Sequence, residues 1–467
     1  MQNNYRRVAA LIALGIISSE PFSGPVQAEQ QEELRTKVEQ LDQEIKILKR
    51  QLELQKEASA EKAKTTPLLT AGAGGFSLQS ADTNFVLKLR GYIQADSRFF
   101  LDDHSAGTAN DTFLLRRVRP IFEGTVFEKF DYRLMLDFGS GVTSSAANDA
   151  YVQDAYFNAK LWPALNIQAG KFKEPVGLER LQSGGNLLFV ERAYPTQLLP
   201  NRDVGVMVHG TLFENTLTYQ LGAFNGVADG GSADIESSDD EKDIAARIFA
   251  EPFKSSDIEG LQGLGIGIAG TYGNREGAPR AYSTPGQQRF FAFRSGAGTA
   301  AAPNVVADGE NWRISPQFYY YYGPFGLLGE YAISDQELRR DDGAATFGNI
   351  ENRAWQVSAS YFLTGEKNAF KAVNPRKPFA LGGEGWGAWE LTARVSGLEV
   401  DDAAFPVFAS PASSANEALS WTAGFNWHLN RNFKVQVNYE QTDFDGGTSS
   451  LLQEGEQVLL TRGQISF

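Results

Sequence analysis

The sequence predicts an all-β protein, a closed antiparallel β-barrel that spans a membrane, preceded by one amphipathic helix. Successive side chains of a strand point to opposite faces, and Phe433, Val435, Val437 and Tyr439 alternate with polar residues. This alternation recurs from about residue 76 to Phe467, whereas no apolar run reaches the roughly 18 residues of a membrane-spanning helix. Because lipid offers no hydrogen bonds to backbone groups, a sheet that crosses it must close on itself.

The composition argues against several kinds of site. There is no Cys, which excludes disulfides, thiolate metal sites and a Cys nucleophile. The three histidines are widely separated, so none has the spacing of a metal ligand pair, and we expect no metal and no cofactor. The net charge of -14 argues against nucleic acid as a partner. No Gly-x-Ser-x-Gly elbow is present in the sequence, and we expect no enzyme.

Residues 1–28 have the pattern of a secretory signal peptide. Arg6 and Arg7 precede the apolar residues 8–17, and small residues at 26–28 suit a cleavage site. The alternative is a buried N-terminal helix, which Pro21 and Pro25 disfavour. A signal peptide implies a protein that is exported from the cytoplasm.

Residues 29–66 predict a coiled-coil helix, followed by a Gly-rich linker at 67–75. The apolar residues of the helix recur in steps of four and three, as on the a and d positions of a heptad. They are Leu34, Val38, Leu41, Ile45, Leu48 and Leu52. The alternative is a lone solvated helix. Val and Ile at a with Leu at d favour two strands in isolation, although a symmetric barrel could impose three.

The remaining residues, 76–467, are enough for a large barrel. About 390 residues shared among about 16 strands give about 24 for each strand and its connection, and about 18 strands would also fit. An even number of strands puts both termini on the periplasmic side of an outer membrane, together with the coiled coil.

One long connection is strongly cationic. Residues 277–307 contain no acid and three arginines, Arg280, Arg289 and Arg294. Such a segment could form a funnel that concentrates anions at the mouth of a pore. The alternative is a flexible loop of Ala and Gly with incidental charges.

The sequence resembles the phosphate-selective porin O and P family in motifs that follow one another in order. They lie at residues 115–125, 132–137, 170–179, 191–192, 201–205, 363–366, 387–391 and 424–427. The resemblance implies a trimeric outer-membrane porin of 16 strands, whose third loop folds inward and narrows the pore.

The resemblance also implies where anions bind at the constriction. The consecutive basic pair of the family falls on Arg116 and Arg117, and the pair separated by twelve residues falls on Arg180 and Arg192. A nearby loop hydroxyl falls on Ser183. Neighbouring residues of a regular strand point to opposite faces, so a loop or a β-bulge is needed to place Arg116 and Arg117 together in the lumen.

Two positions depart from the best-known members of the family. Tyr92 stands where those members have Arg, with Arg90 two residues before it, and Asp131 stands where they have Lys, with Arg133 two residues after it. A shift of two residues keeps the face and moves the charge by roughly 7 Å. Those members also have a series of arginines known as the arginine ladder. Its partial counterpart here consists of Arg275, Arg280, Arg289 and Arg294.

The sequence therefore predicts a passive channel with a preference for anions, with phosphate or pyrophosphate as the leading solutes. The expected partners are these anions, outer-membrane lipid and lipopolysaccharide, and two further copies of the chain. The negative net charge of the chain and the acidic residue at Asp131 leave open the alternative of a general or weakly selective porin. A third possibility is a structural role, in which the coiled coil spaces the outer membrane from the cell wall.

Overall fold

The computed structural model describes residues 25–101, 110–139, 150–233, 240–343 and 345–467. The chain forms two compact units, residues 1–66 and residues 67–467, and each is described by itself. Most of the predicted signal peptide, residues 1–24, lies outside the described part of the chain.

The first unit contains one long helix, α1 (Pro25–Thr65). It begins four residues before the predicted coiled coil and contains all six of the predicted a and d residues. These residues are between 49% and 66% exposed, so the apolar stripe has no partner among the described residues of this unit. Pairing of α1 with other copies stays a prediction. Within the described residues, no helix has both the length and the apolarity to cross a membrane.

The second unit is built of β-strands. The first eleven are β1 (Leu68–Gly72), β2 (Gly75–Gln79), β3 (Phe85–Phe100), β4 (Thr112–Val126), β5 (Phe130–Asp137), β6 (Tyr151–Trp162), β7 (Leu165–Lys173), β8 (Arg202–Leu212), β9 (Leu217–Phe224), β10 (Asp243–Ala250) and β11 (Leu264–Gly277). The others are β12 (Tyr282–Ser283), β13 (Arg289–Phe291), β14 (Ser295–Thr299), β15 (Ala302–Tyr322), β16 (Phe325–Asp341), β17 (Thr346–Phe362), β18 (Ala388–Glu399), β19 (Glu417–His428), β20 (Phe433–Asp445) and β21 (Glu456–Ser466). Short helices α2 (Leu178–Leu181), α3 (Pro195–Leu198) and α4 (Ser450–Glu454) and two 3₁₀ turns, Glu259–Leu261 and Asp402–Ala404, lie in the connections.

Sixteen strands among the described residues, β3–β11 and β15–β21, form one closed antiparallel ring. The last strand closes the ring on the first, with Ile465 opposite Ile93. The prediction of a 16-stranded barrel is confirmed, and 18 strands are excluded. Residues 68–72, predicted as part of a linker, instead form β1, which pairs with β2; β2 in turn pairs with β3. The sheet is thereby extended by a short hairpin, β1–β2, next to β3.

The barrel is apolar outside and polar inside. On β17, Trp355, Val357 and Tyr361 are each 37–48% exposed, whereas Gln356 and Ser358 between them are at most 4% exposed. A soluble protein would bury the first set and expose the second. The outward apolar face is what a strand in contact with lipid requires.

Two loops fold into the barrel and give it an internal apolar core. We call residues 174–201, between β7 and β8, the constriction loop, and residues 278–301, between β11 and β15, the aromatic loop. Tyr194 of the constriction loop meets Phe290 of the aromatic loop edge to face, with ring centroids 5.9 Å apart. Phe290 and Phe291 are fully buried. The end of the barrel from which both loops fold is called the loop end, and the end that carries Phe467 is called the terminal end.

Candidate functional site

The constriction loop is fixed at its start by a carboxylate of the barrel wall. Gly177 adopts a φ of 81°, a left-handed conformation that Gly tolerates best, and turns the chain into α2. The backbone N–H of Leu178 then donates to Glu330 Oε1 at 2.5 Å. Further along, Glu179 Oε2 accepts from the backbone N–H of Ala193 at 2.9 Å. The loop is therefore closed on itself as well as anchored to β16.

Amide side chains of the facing wall hold the rest of the loop through its backbone. Val190 N donates to Asn438 Oδ1 at 2.7 Å. Three glutamine side chains donate hydrogen bonds of 2.9–3.0 Å from Nε2 to carbonyl oxygens of the loop. These bonds run from Gln94 to Gly184, from Gln464 to Gly185 and from Gln436 to Leu188. From the terminal end, Phe370 in the connection between β17 and β18 accepts from Gln182 Nε2 at 2.9 Å. The loop is thus held against one side of the lumen.

Three cations of this region have no carboxylate hydrogen-bond partner among the described residues. Lys173 Nζ and Arg192 Nη2 both donate to the carbonyl oxygen of Gln182, at 2.9 and 2.8 Å. Arg180 donates to the carbonyl oxygen of Thr196, and its buried Nε has no partner there. Carbonyl dipoles orient these side chains, and among the described residues no carboxylate accepts a hydrogen bond from them.

The electrostatics of the loop show how closely these cations are crowded. Burial lowers the pKa of Arg180 to about 9, and the neighbouring Arg192 and Arg202 contribute to the same shift. Burial also lowers the pKa of Arg192 to about 10, again with a contribution from Arg202, although Glu179 opposes it. Both groups stay protonated at neutral pH. The arrangement therefore favours any anion that enters it.

The adjoining wall carries arginines that are paired with carboxylates. Arg119 Nε lies 2.7 Å from Asp137. Arg133 and Arg202 share Asp154, at 3.1 and 2.7 Å. These pairs line the wall without adding much net charge.

Tyr92, at the first departure from the family pattern, faces the lumen, where its hydroxyl accepts from Arg119 Nη1 at 2.8 Å. Arg90, two residues earlier, and Arg133 share Glu123, at 2.8 and 2.7 Å. Both of these arginines are therefore paired with a carboxylate.

A second cluster, the arginine cage, surrounds Glu191 of the constriction loop. The register of β3 and β4 pairs Gln94 with Arg117 and Ala95 with Leu115, so Arg116 is the extra residue of a β-bulge. Of the loop and the β-bulge that the sequence left open, the structure has the bulge, and both arginines contact Glu191. The four members of the cage are Arg98, Arg116, Arg117 and Arg462.

The structure brings most of the predicted constriction residues to the constriction loop. Arg116, Arg117 and Arg133 approach it from the wall, and Arg180 and Arg192 belong to it. Ser183 is exposed on the loop and lines a cavity of about 360 Å³ on its terminal side, together with Arg90 and Arg133.

The predicted funnel residues lie elsewhere. Arg294 donates to the carbonyl oxygens of Pro406 and Val407, and Arg275 on β11 lies near Asp243. Arg280 and Arg289 are exposed. The aromatic loop packs inside the barrel on its Phe and Tyr side chains, and a funnel role for its arginines stays a prediction.

Several residues of the site were not predicted. Lys173 lies within the motif at 170–179, and Arg119 follows Arg117 on the same face of β4, so both carried a signal in the sequence. Arg202 lies within the motif at 201–205 and also carried a signal, whereas Arg98 and Arg462 carried none, since only the folded loop shows what they approach.

The barrel resembles known outer-membrane channels. DcaP of Acinetobacter baumannii superposes with a TM-score of 0.50 at 11% identity, over 84% of this chain and 100% of that one. OmpF of Salmonella typhi, in complex with daunomycin, gives 0.50 at 12% identity over 86% and 100%. OmpT of Vibrio cholerae gives 0.50 at 12% identity over 82% and 98%. At these identities the likeness shows the fold alone.

Sequence comparison identifies the family. No curated protein matches the chain significantly, but the model of one family, "Phosphate-selective porin O and P", matches residues 87–467. This range includes fifteen complete barrel strands and nearly all of β3, together with the constriction loop, the arginine cage and the aromatic loop. The chain therefore belongs to the phosphate-selective porin O and P family.

Proposed function

We propose that this multi-pass outer-membrane porin is a passive diffusion channel with a preference for anions, and that phosphate and pyrophosphate are among its solutes. The observation that carries the proposal is the set of three cations, Lys173, Arg180 and Arg192, that donate only to carbonyl oxygens among the described residues. A permeating anion can supply the charged hydrogen-bond acceptor that these three side chains lack among the described residues.

The chemistry of these side chains suits oxyanions. The guanidinium group presents a rigid fork of donors that matches two oxygens of a phosphate, and the ammonium group of Lys acts as a point charge. A channel needs contacts strong enough to admit a solute and weak enough to release it. The carbonyl contacts already hold part of each donor set, which keeps binding to any single cation moderate.

The alternative is a general or weakly selective porin. It is favoured by the wall, where Asp137, Asp154 and Glu123 neutralise Arg119, Arg133 and Arg202. A solute that follows this wall meets alternating charges rather than a cationic path. The two proposals differ in the sign and size of ion selectivity.

We also propose a trimer that is held in part by α1. The exposed apolar stripe of this helix suits association with two other copies. A periplasmic position for it is part of the proposal, and the signal-like pattern of residues 1–28 and the even number of strands support it. The outward face of the barrel would contact lipid and lipopolysaccharide. In the structural alternative, deletion of residues 29–64 damages the cell envelope and leaves conductance unchanged.

The zero-current potential of single channels in a KCl gradient tests the proposal. Anion selectivity supports it, and cation selectivity removes it. Phosphate specificity is tested by the phosphate concentration that halves the chloride current, for which Arg180→Ala should require more phosphate than the native protein. An unchanged half-block would show that Arg180 does not bind phosphate.

A further inference from the structure

We infer that the arginine cage is an oxyanion-binding site that the protein fills with its own Glu191 carboxylate. Three neighbouring strands supply the donors: Arg98 from β3, Arg116 and Arg117 from β4, and Arg462 from β21. The constriction loop supplies the anion. This inference rests on the proposed anion channel and deepens it, since Arg116 and Arg117, which the resemblance assigns to anion binding, here contact a carboxylate of the protein itself.

The geometry around Glu191 is that of a bound oxyanion. Arg116 donates two hydrogen bonds to the carboxylate, from Nε to Oε1 at 2.5 Å and from Nη2 to Oε2 at 3.2 Å. Nη2 atoms of Arg98 and Arg462 lie 3.8 Å from Oε1, and Nη2 of Arg117 lies 3.8 Å from Oε2. Two oxygens held by one planar fork are what a carboxylate and a phosphate have in common.

The charge of the cage exceeds what Glu191 can neutralise. Among the described residues, four arginines face two carboxylates, Glu191 and Asp96, and Asp96 is held by both arms of Arg462 at 2.8 and 2.7 Å. Two positive charges therefore remain, and three would remain without Glu191. Burial opposes ionisation of Glu191, but Arg116 and Arg117 outweigh it and hold the pKa of this carboxyl well below its usual range.

The cage can be reached from solvent. The side chains of Arg98 and Arg116 are each 16% exposed, whereas that of Glu191 is 5% exposed. Removal of the Glu191 carboxylate would leave a basic, partly hydrated space of the size of that group. An oxyanion from solution would then replace it, because a buried charge without a partner is costly.

The test is the half-block of chloride current by inorganic phosphate in planar bilayers. In Glu191→Ala we expect the half-blocking concentration to fall at least tenfold relative to the native channel. Glu123→Gln removes one negative charge of the lumen outside the cage and measures the general effect of charge. Glu191→Gln keeps the shape of the side chain, and we expect a gain in the same direction should the Ala variant fail to insert.

The gain must depend on the cage itself. Adding Arg98→Gln to Glu191→Ala should reverse most of the gain, because Arg98 faces the vacated space. The inference is overturned if both Glu191 variants change the half-block no more than Glu123→Gln does, or if the gain survives the loss of Arg98. A native channel that prefers cations would overturn the proposed function. The gain of phosphate block in the variants would still decide whether the cage can bind an oxyanion from solution.

Discussion

Arg192→Gln should weaken the anion preference of the channel without disturbing the loop that carries it. Arg192 donates to the carbonyl oxygens of Glu179 and Gln182, at 3.2 and 2.8 Å. Gln places an N–H donor where Arg192 has Nε, which contacts the carbonyl oxygen of Glu179, but it removes the charge. The substitution therefore separates the electrostatic contribution of this residue from its structural one.

The size of the effect follows from Coulomb's law. One unit charge about 4 Å from a chloride ion is worth about 1 kcal/mol at the dielectric constant of water and about 4 kcal/mol at an effective value near 20. A water-filled pore lies closer to the first limit. Since about 1.4 kcal/mol is tenfold, we expect the permeability ratio of chloride to potassium to fall about fivefold.

The assay is the zero-current potential in a KCl gradient with about 0.1 M salt on the dilute side, where the Debye length is about 10 Å. Arg353→Gln is the matched control. It makes the same chemical change at an exposed residue of β17 that pairs with Glu351 at 2.6 Å. An unchanged ratio in Arg192→Gln, or an equal fall in the control, would refute the reasoning.

Three further predictions concern stability and assembly. Asp229→Asn should lower the free energy of unfolding by about 3–5 kcal/mol in a denaturant titration, because it leaves the fully buried Arg313, 2.7 Å from Asp229, without its main partner. A loss below about 1 kcal/mol would contradict this. Burial, Asp203 and Asp243 raise the pKa of Glu174 well above its usual 4.5, so the folded state binds more protons there than the unfolded state, and stability should fall as pH rises above about 4.5. Glu174→Gln should reduce that fall, and an identical pH profile would contradict the reasoning. Replacing Leu41 and Leu48 by Ser should reduce the trimer fraction in analytical ultracentrifugation, with Lys46→Ser as control, and an unchanged fraction would remove the role of α1 in association.

The barrel could be predicted because its signal is local. Alternation along a strand records which face meets lipid, and it needs no knowledge of distant residues. The irregularity at Arg116 also had a local signal, because two adjacent basic residues that the resemblance assigns to the lumen require a loop or a bulge. The hairpin at residues 68–79 was missed because a Gly-rich segment signals a turn but not whether its flanks pair with a sheet.

The course of the inward loops could not be predicted, because it depends on contacts between residues far apart in the chain. Leu178 meets Glu330 across 152 positions, and Val190 meets Asn438 across 248. The aromatic loop shows the same limit. Its Ala and Gly content is typical of a flexible segment, whereas Phe290 is buried because it packs inside the barrel against Tyr194 and Phe444, which are distant in the chain.

The closure of the ring has a consequence for how the protein reaches its native state. Gln94 on β3 binds Gln464 on β21 at 2.7 Å, although 370 positions separate them. Such long-range pairing is slow, since loop entropy is lost before the contact forms. Until both ends of the chain meet, two strand edges stay available to other molecules. A chain that ends before β21 cannot close the ring on β3. It should therefore associate with other chains through its unpaired strand edges.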